Sequence, residues 1–140
     1  MAYKSTLPSS IQTLLPGPRL ADVSSLSGSV ANGMGNNVNG ALTASTTQTQ
    51  AGGTLLTYGI NSVLNANGSD AVTMPKAASG TILILVNHTG QTIQLFPAVG
   101  DTINAAAINA AVTVATATTS IYICSAGSAQ WWGGAITNEA

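Results

Sequence analysis

His88 is the only histidine in the chain, so any Ser-His-Asp relay would have to be built on it with Asp70 or Asp101 and one of the many serines. Its neighbours give it a simpler role. Asn87-His88-Thr89-Gly90 reads as a turn, where an exposed imidazole needs no special reason. A zinc site takes three or four His or Cys ligands, and one histidine with one cysteine, Cys124, falls short. A symmetric trimer could gather copies of His88 or Asp101 at an axis, although no spacing singles that out. Asp101 lies between Gly100 and Thr102, a setting in which a carboxylate accepts backbone hydrogen bonds. Cys124 sits in an apolar stretch and reads as a small core residue. The glycines of Gly33-Met34-Gly35-Asn36-Asn37-Val38-Asn39-Gly40 miss the third position of a dinucleotide fingerprint and follow no strand, so no phosphate cradle is expected. Asn67-Gly68-Ser69 and Asn87-His88-Thr89 match glycosylation acceptors but read as turns. Trp131 and Trp132 are adjacent and in a strand face opposite ways, one to the core and the other to an interface or a sugar. The expectation is a protein that is not an enzyme, with no catalytic residues, no cofactor and no metal. Trp131 and Trp132 are its interface or ligand-contact candidates.

Charge narrows the choice further. The chain has 140 residues, and three basic and four acidic side chains make only 5% of it charged, against about a quarter in ordinary soluble domains. No Asp, Glu, Lys or Arg occurs between Val23 and Ser69, or between Asp101 and Glu139. Nucleic-acid binding needs clustered cations, whereas Lys4, Arg19 and Lys76 are isolated in sequence. A lone cysteine allows no intrachain disulfide. Met1 to Pro8 lacks the apolar centre of a signal peptide, and the strongest apolar run, Ile82 to Val86, falls far short of the roughly 20 residues a spanning helix needs. Cytoplasmic synthesis and no membrane partner are expected.

The elements that must position these residues are strands. Residues 1–40 read as an extended arm and joint: Pro8, Pro16 and Pro18 interrupt helix and sheet, and a Gly/Asn-rich stretch follows. Ile11, Leu14, Leu15, Leu20, Val23 and Leu26 are too apolar for a solvated tail and read as anchors onto another surface; the plainer alternative is a helix over 20–26 packed on its own domain. Residues 41–140 read as a β-rich knob, because Val, Ile, Leu and Thr alternate in short runs between turn signals. The runs are Leu42 to Thr46, Leu55 to Leu64 interrupted at Gly59, Ala71 to Met74, Thr81 to Val86, Thr92 to Phe96, Ala111 to Ala115, Ser120 to Cys124 and Gln130 to Trp132. The fold class is all-β, a small antiparallel β-sandwich or barrel. Thr81 to Phe96 reads as its best hairpin, and Ile82 to Val86, apolar on both faces, as a central strand. Ala105 to Ala111 could form one helical turn, weakened by Asn104 and Asn109. No repeat of fixed length is visible.

Two stretches carry a family resemblance. Phe96-Pro97-Ala98-Val99-Gly100-Asp101-Thr102-Ile103-Asn104-Ala105, with Gly127-Ser128-Ala129-Gln130-Trp131 further on, resembles the C-terminal module of small tailed-phage virion proteins, the capsid decoration (cement) proteins and head fibres. The segment Ile82 to Phe96 is similar too, and the likeness covers residues 42–134. It departs after Val112 to Val114, where a glycine-containing turn is expected and Ala115-Thr116-Ala117-Thr118 stands instead. The resemblance implies a trimeric β-rich knob on the capsid surface of a virion, bound to the major capsid protein and stabilising the head. Low charge fits such a partner, since apolar and hydrogen-bonded contacts are screened less than exposed ion pairs. It also fits assembly, because strand edges without charged gatekeepers are safest when buried. The alternative is a head- or tail-fibre domain that binds host surface glycans through Trp131 or Trp132; an esterase-like enzyme using His88 is the remotest reading.

Overall fold

The computed structural model describes residues 38–125, 127 and 129–136, all within the compact unit Ala31–Ala140. The β-branched runs form ten strands: β1 (Val38–Thr43), β2 (Thr54–Leu55), β3 (Gly59–Asn65), β4 (Ala71–Thr73), β5 (Thr81–Asn87), β6 (Ile93–Phe96), β7 (Thr102–Ile103), β8 (Val112–Val114), β9 (Thr118–Cys124) and β10 (Gln130–Ala135). No helix occurs among the described residues, and 104–111 is made of turns. The strands make a six-stranded sheet in the order β1-β3-β5-β9-β10-β7 and a four-stranded sheet in the order β2-β4-β6-β8.

The chain changes sheet at every connection from β1 to β9; of the described strands only β9 and β10 are consecutive neighbours in one sheet. From β1 to β6 each circuit lays a strand parallel to the one before it in the same sheet, so Val38 lies beside Ile60 and Ile60 beside Ile84 in the larger sheet. Likewise Thr54 lies beside Val72 and Val72 beside Leu95 in the smaller one. The antiparallel expectation is therefore corrected: both sheets are mixed, parallel over β1-β3-β5 and β2-β4-β6 and closed by antiparallel β9 and β8. Successive circuits differ in length, which is why no repeat of fixed period shows in the sequence.

The expected hairpin from Thr81 to Phe96 is corrected for the same reason. Its strands, β5 and β6, lie in different sheets, and the segment between them is an arch. Asn87, wholly buried, holds that arch. Its Nδ2 donates to the carbonyls of Gln91 and Ala115, each at 2.9 Å, and its Oδ1 accepts the Thr89 backbone N–H at 3.0 Å. The His88 N–H meanwhile donates to the Val63 carbonyl at 2.9 Å, carrying the β3–β5 ladder one residue past the strand. The amide thus satisfies groups of the arch itself, at Thr89 and Gln91, and the Ala115 carbonyl of the segment after β8.

The run from Leu55 to Leu64 divides in a related way. Gly59, in the left-handed region at φ 88, opens β3 in the larger sheet after β2 has ended in the smaller one. Buried Asn61 ties the connection down, accepting the Thr57 N–H at 2.9 Å and donating to the Thr57 carbonyl at 2.7 Å. β1 starts at Val38, inside the segment assigned to the joint. Ala117, where a glycine-containing turn was expected, itself adopts a left-handed φ of 51. Between β9 and β10 the backbones approach so closely that a Cβ on Gly133, at φ 151, would overlap the Ile121 carbonyl.

The inward residues of both sheets meet in one apolar cluster that includes Val63, Val72, Leu83, Leu85, Ile93, Leu95, Ile103 and Trp131. Fully burying a Val, Leu or Ile side chain is worth about 1.5–3 kcal/mol. β5 is central, between β3 and β9, as its composition implied. Its two faces differ in burial: Leu83 and Leu85 are buried, Ile84 and Val86 are half-buried, and Ile82 is 53% exposed.

Replacing Asn87 by leucine keeps approximate volume but strands the Thr89 N–H and two carbonyls. The expected loss is about 3 kcal/mol, read as a lower urea midpoint with unchanged slope. An unchanged midpoint would show that the arch does not depend on the amide.

Candidate functional site

The arches gather polar side chains at one end of the larger sheet. The ends of β1, β3 and β5 surround a cleft of about 390 Å³, lined among others by Asn65, Asn67, Asp70, His88 and Gln91. The structure thus brings together two members of the relay weighed from sequence, His88 and Asp70. It gives them different work. His88 is exposed at the rim. Asp70 is buried and closes its own turn, its Oδ2 accepting the Asn67 N–H at 2.7 Å. The hydroxyls of the lining come from Thr43, Thr46 and Thr89, with no serine among the residues that form it.

Asp101 is placed elsewhere. Wholly buried between β6 and β7, it accepts the Ala77 N–H at 2.6 Å and pairs with the Lys76 ammonium, whose side chain is 60% exposed. Lys76, isolated in sequence, is therefore neutralised in space, and it also donates to the Val99 carbonyl at 3.0 Å. The carboxylate accepts backbone hydrogen bonding as its setting suggested, but the donor comes from the β4–β5 connection rather than its own turn. Beside it, Asn109 Oδ1 accepts the Gly100 N–H at 2.7 Å and the Gln50 amide at 3.1 Å.

Cys124 is buried on the inner face of β9. Near it, burial pushes the Tyr122 phenol above its ordinary value of 10.0, against a smaller downward pull from its hydrogen bond with Ser120. Trp131 is wholly buried and its ring lies 6.4 Å from that of Tyr58, whereas Trp132 is 46% exposed. Of the two tryptophans, Trp132 is thus the one available to a partner. Ile11, Leu14, Leu15, Leu20, Val23 and Leu26, expected to anchor the arm, lie outside the described residues, as does the alternative helix over 20–26. Among the described residues no group of three or more His, Cys, Asp or Glu side chains could hold a metal ion.

Sequence reasoning missed the arch residues Asn61 and Asn87. The one available signal was an Asn at a strand end followed two positions later by Thr, as in Asn87-His88-Thr89, which a simple turn shares. Comparison with family models, with curated proteins and with solved structures gave no match.

Tyr122 supplies a pH test. Because its folded pKa is raised, the unfolded chain ionises first; the phenol's contribution is intact below about pH 10 and is lost as pH rises from there through the folded value. Thermal midpoints followed from about pH 8 to about pH 11 should fall more steeply for the native protein than for Tyr122→Phe. Parallel curves would mean that Tyr122 is not the group responsible.

Proposed function

We propose that this protein is a structural virion component: a trimeric β-sandwich knob that decorates the capsid of a tailed phage, binds the major capsid protein from outside and stabilises the head. The observation that carries the reading is a β surface almost without charge. Among the described residues only Asp70, Lys76 and Asp101 are charged, and both carboxylates are buried. Such a surface suits neither polyanion binding nor acid–base chemistry, and it suits apolar, hydrogen-bonded attachment to another protein.

A second support lies in the stretches that carry the family resemblance. The segment Phe96 to Ala105 and the segment ending at Trp131 become neighbours: β7 pairs with β10, Thr102 beside Gln130 and Ile103 beside Trp131. The Asn104 side chain extends this contact, exchanging hydrogen bonds with the Gly133 carbonyl at 2.7 Å and the Gly133 N–H at 2.9 Å. The left-handed Ala117 keeps a turn conformation at the position where the likeness departs.

The exposure of Trp132 favours a second reading, a fibre domain that binds host glycans. Sugar sites set an aromatic face beside polar side chains. Trp132 lies at the level of Ile123 and Ile82, at the start of β5, while the polar cleft lies past its end. Six residues of strand at about 3.3 Å each put them roughly 20 Å apart. The decoration reading is therefore preferred, with no cofactor, no nucleic acid and no membrane in its chemistry.

Binding to undecorated heads should be nearly independent of NaCl concentration, since few charges exist to be screened. Occupancy that falls steeply with salt would point to a charged contact around Lys4 and Arg19. Deleting residues 1–26 should abolish decoration while leaving the knob folded and oligomeric, and replacing Leu14 and Leu15 with serine should weaken it in the same direction. Full occupancy by the shortened chain would move the anchor onto the knob.

A further inference from the structure

The outer face of the larger sheet is apolar across neighbouring strands. Ile82 on β5 lies beside Ile123 on β9, which lies beside Trp132 on β10; one row further, Ile84 lies between Ile60 on β3 and Ile121 on β9. Ile82, Ile123 and Trp132 are 53%, 44% and 46% exposed. Among the described residues the face carries no charged side chain, because Asp70, Lys76 and Asp101 all sit in the connections between strands.

Three properties of the face bear on what covers it. Parallel strands normally have both faces buried and read as unbroken apolar runs. β5, with the sequence Thr-Ile-Leu-Ile-Leu-Val-Asn, is such a run, yet of its apolar side chains only Leu83 and Leu85 are buried, while Ile84 and Val86 are half-buried and Ile82 is exposed. The chemistry of the face comes next: a charged or strongly polar partner would lose hydration here and gain no ion pair or hydrogen bond in return. The last argument is size. Five strands about 4.8 Å apart, each about five residues long at about 3.3 Å per residue, give a footprint of roughly 400 Å². That is about half of what one partner contributes to a standard-size interface, and it is uncharged before any rim is counted. An identical face meets the first two conditions and supplies the apolar centre of such an interface, since β-branched side chains of two such sheets can interdigitate across about 10 Å.

We propose that the outer face of the larger sheet is the self-association surface of this protein, covered by further copies of the chain turned face inward on a common axis. The inference deepens the trimer proposed above and rests on that reading only for the number of copies.

The test uses the full-length protein with Ile84→Lys and Ile121→Lys, singly and together. These side chains are neighbours across β5 and β9 and point away from the core, so circular dichroism should keep its native shape, while the urea midpoint falls by what the lost association contributed. Should the lysine pair fail to fold, Ile84→Thr with Ile121→Thr keeps the branched shape while adding polarity. Light scattering and native mass spectrometry over a range of concentrations should give an oligomer for the native chain. The folded double variant should be a monomer, with the dissociation constant raised about 100-fold or more. A native chain that stays monomeric overturns the proposal, and failure of that monomer to bind a hydrophobic dye would assign the cover to its own remaining residues. An oligomer indifferent to these substitutions also overturns it, by placing the contact elsewhere. An oligomer of another order that the substitutions break supports the surface while contradicting the trimer. A substitution-sensitive trimer that does not bind heads supports the surface and removes the capsid reading.

Discussion

Every crossing from one sheet to the other takes backbone N–H and C=O groups out of a ladder, and most of the architecture follows from how those groups are satisfied. A buried unpaired backbone group costs about as much as a lost hydrogen bond. Here the partners are short Asx side chains with little or no exposure: Asn61 at the β2–β3 connection, Asp70 between β3 and β4, Asn87 at the end of β5, and Asp101 between β6 and β7. Each reaches backbone atoms of a crossing segment, and Asn87 also reaches the Ala115 carbonyl beyond β8. That device lets parallel strands stack circuit by circuit without helices. It also explains where the acids go: Asp70 and Asp101 serve the interior as hydrogen-bond acceptors, and Lys76 compensates the deeper of them.

Committing the charges to the connections leaves the sheets with apolar and hydroxyl side chains, and this shapes both edges and faces. β1, an outer strand of the larger sheet, is irregular: its register with β3 shifts twice, and Ala41 adopts a φ of 60. Bulged edges discourage open-ended strand addition, a hazard that uncharged edges otherwise invite. At the other edge, β7 is short and the Asn104 side chain occupies the next backbone position of β10. Those two edges are irregular or short, and the proposed association is accordingly assigned to the outer isoleucine face of the larger sheet.

The sequence made strand positions legible and strand pairing illegible. β-branched runs placed β4, β5, β6 and β9 to within a residue or two, because side-chain periodicity is a local property. Period-two alternation likewise separated Trp131 from Trp132. The β5–β6 connection misled because Asn-His-Thr-Gly suits a hairpin and an arch equally; what distinguishes them is a hydrogen bond from Asn87 to Ala115, far along the chain. Residues Thr102 and Ile103 form too short a strand to carry a pattern. The site was less visible still. Lys76 looks isolated until folding sets it on Asp101, and the cleft draws His88, Asp70 and Asn65 from three separate connections or strand ends.

Radical footprinting of the full-length protein at high concentration tests most directly whether the uncharged sheet is covered by assembly. Trp132 is intrinsically reactive and 46% exposed in the single chain, so its labelling reports whether the face is open. The account predicts that Trp132, Ile82 and Ile123 are protected in the assembled protein and become labelled on dilution to monomers. Strong labelling of Trp132 in the assembled state would contradict it.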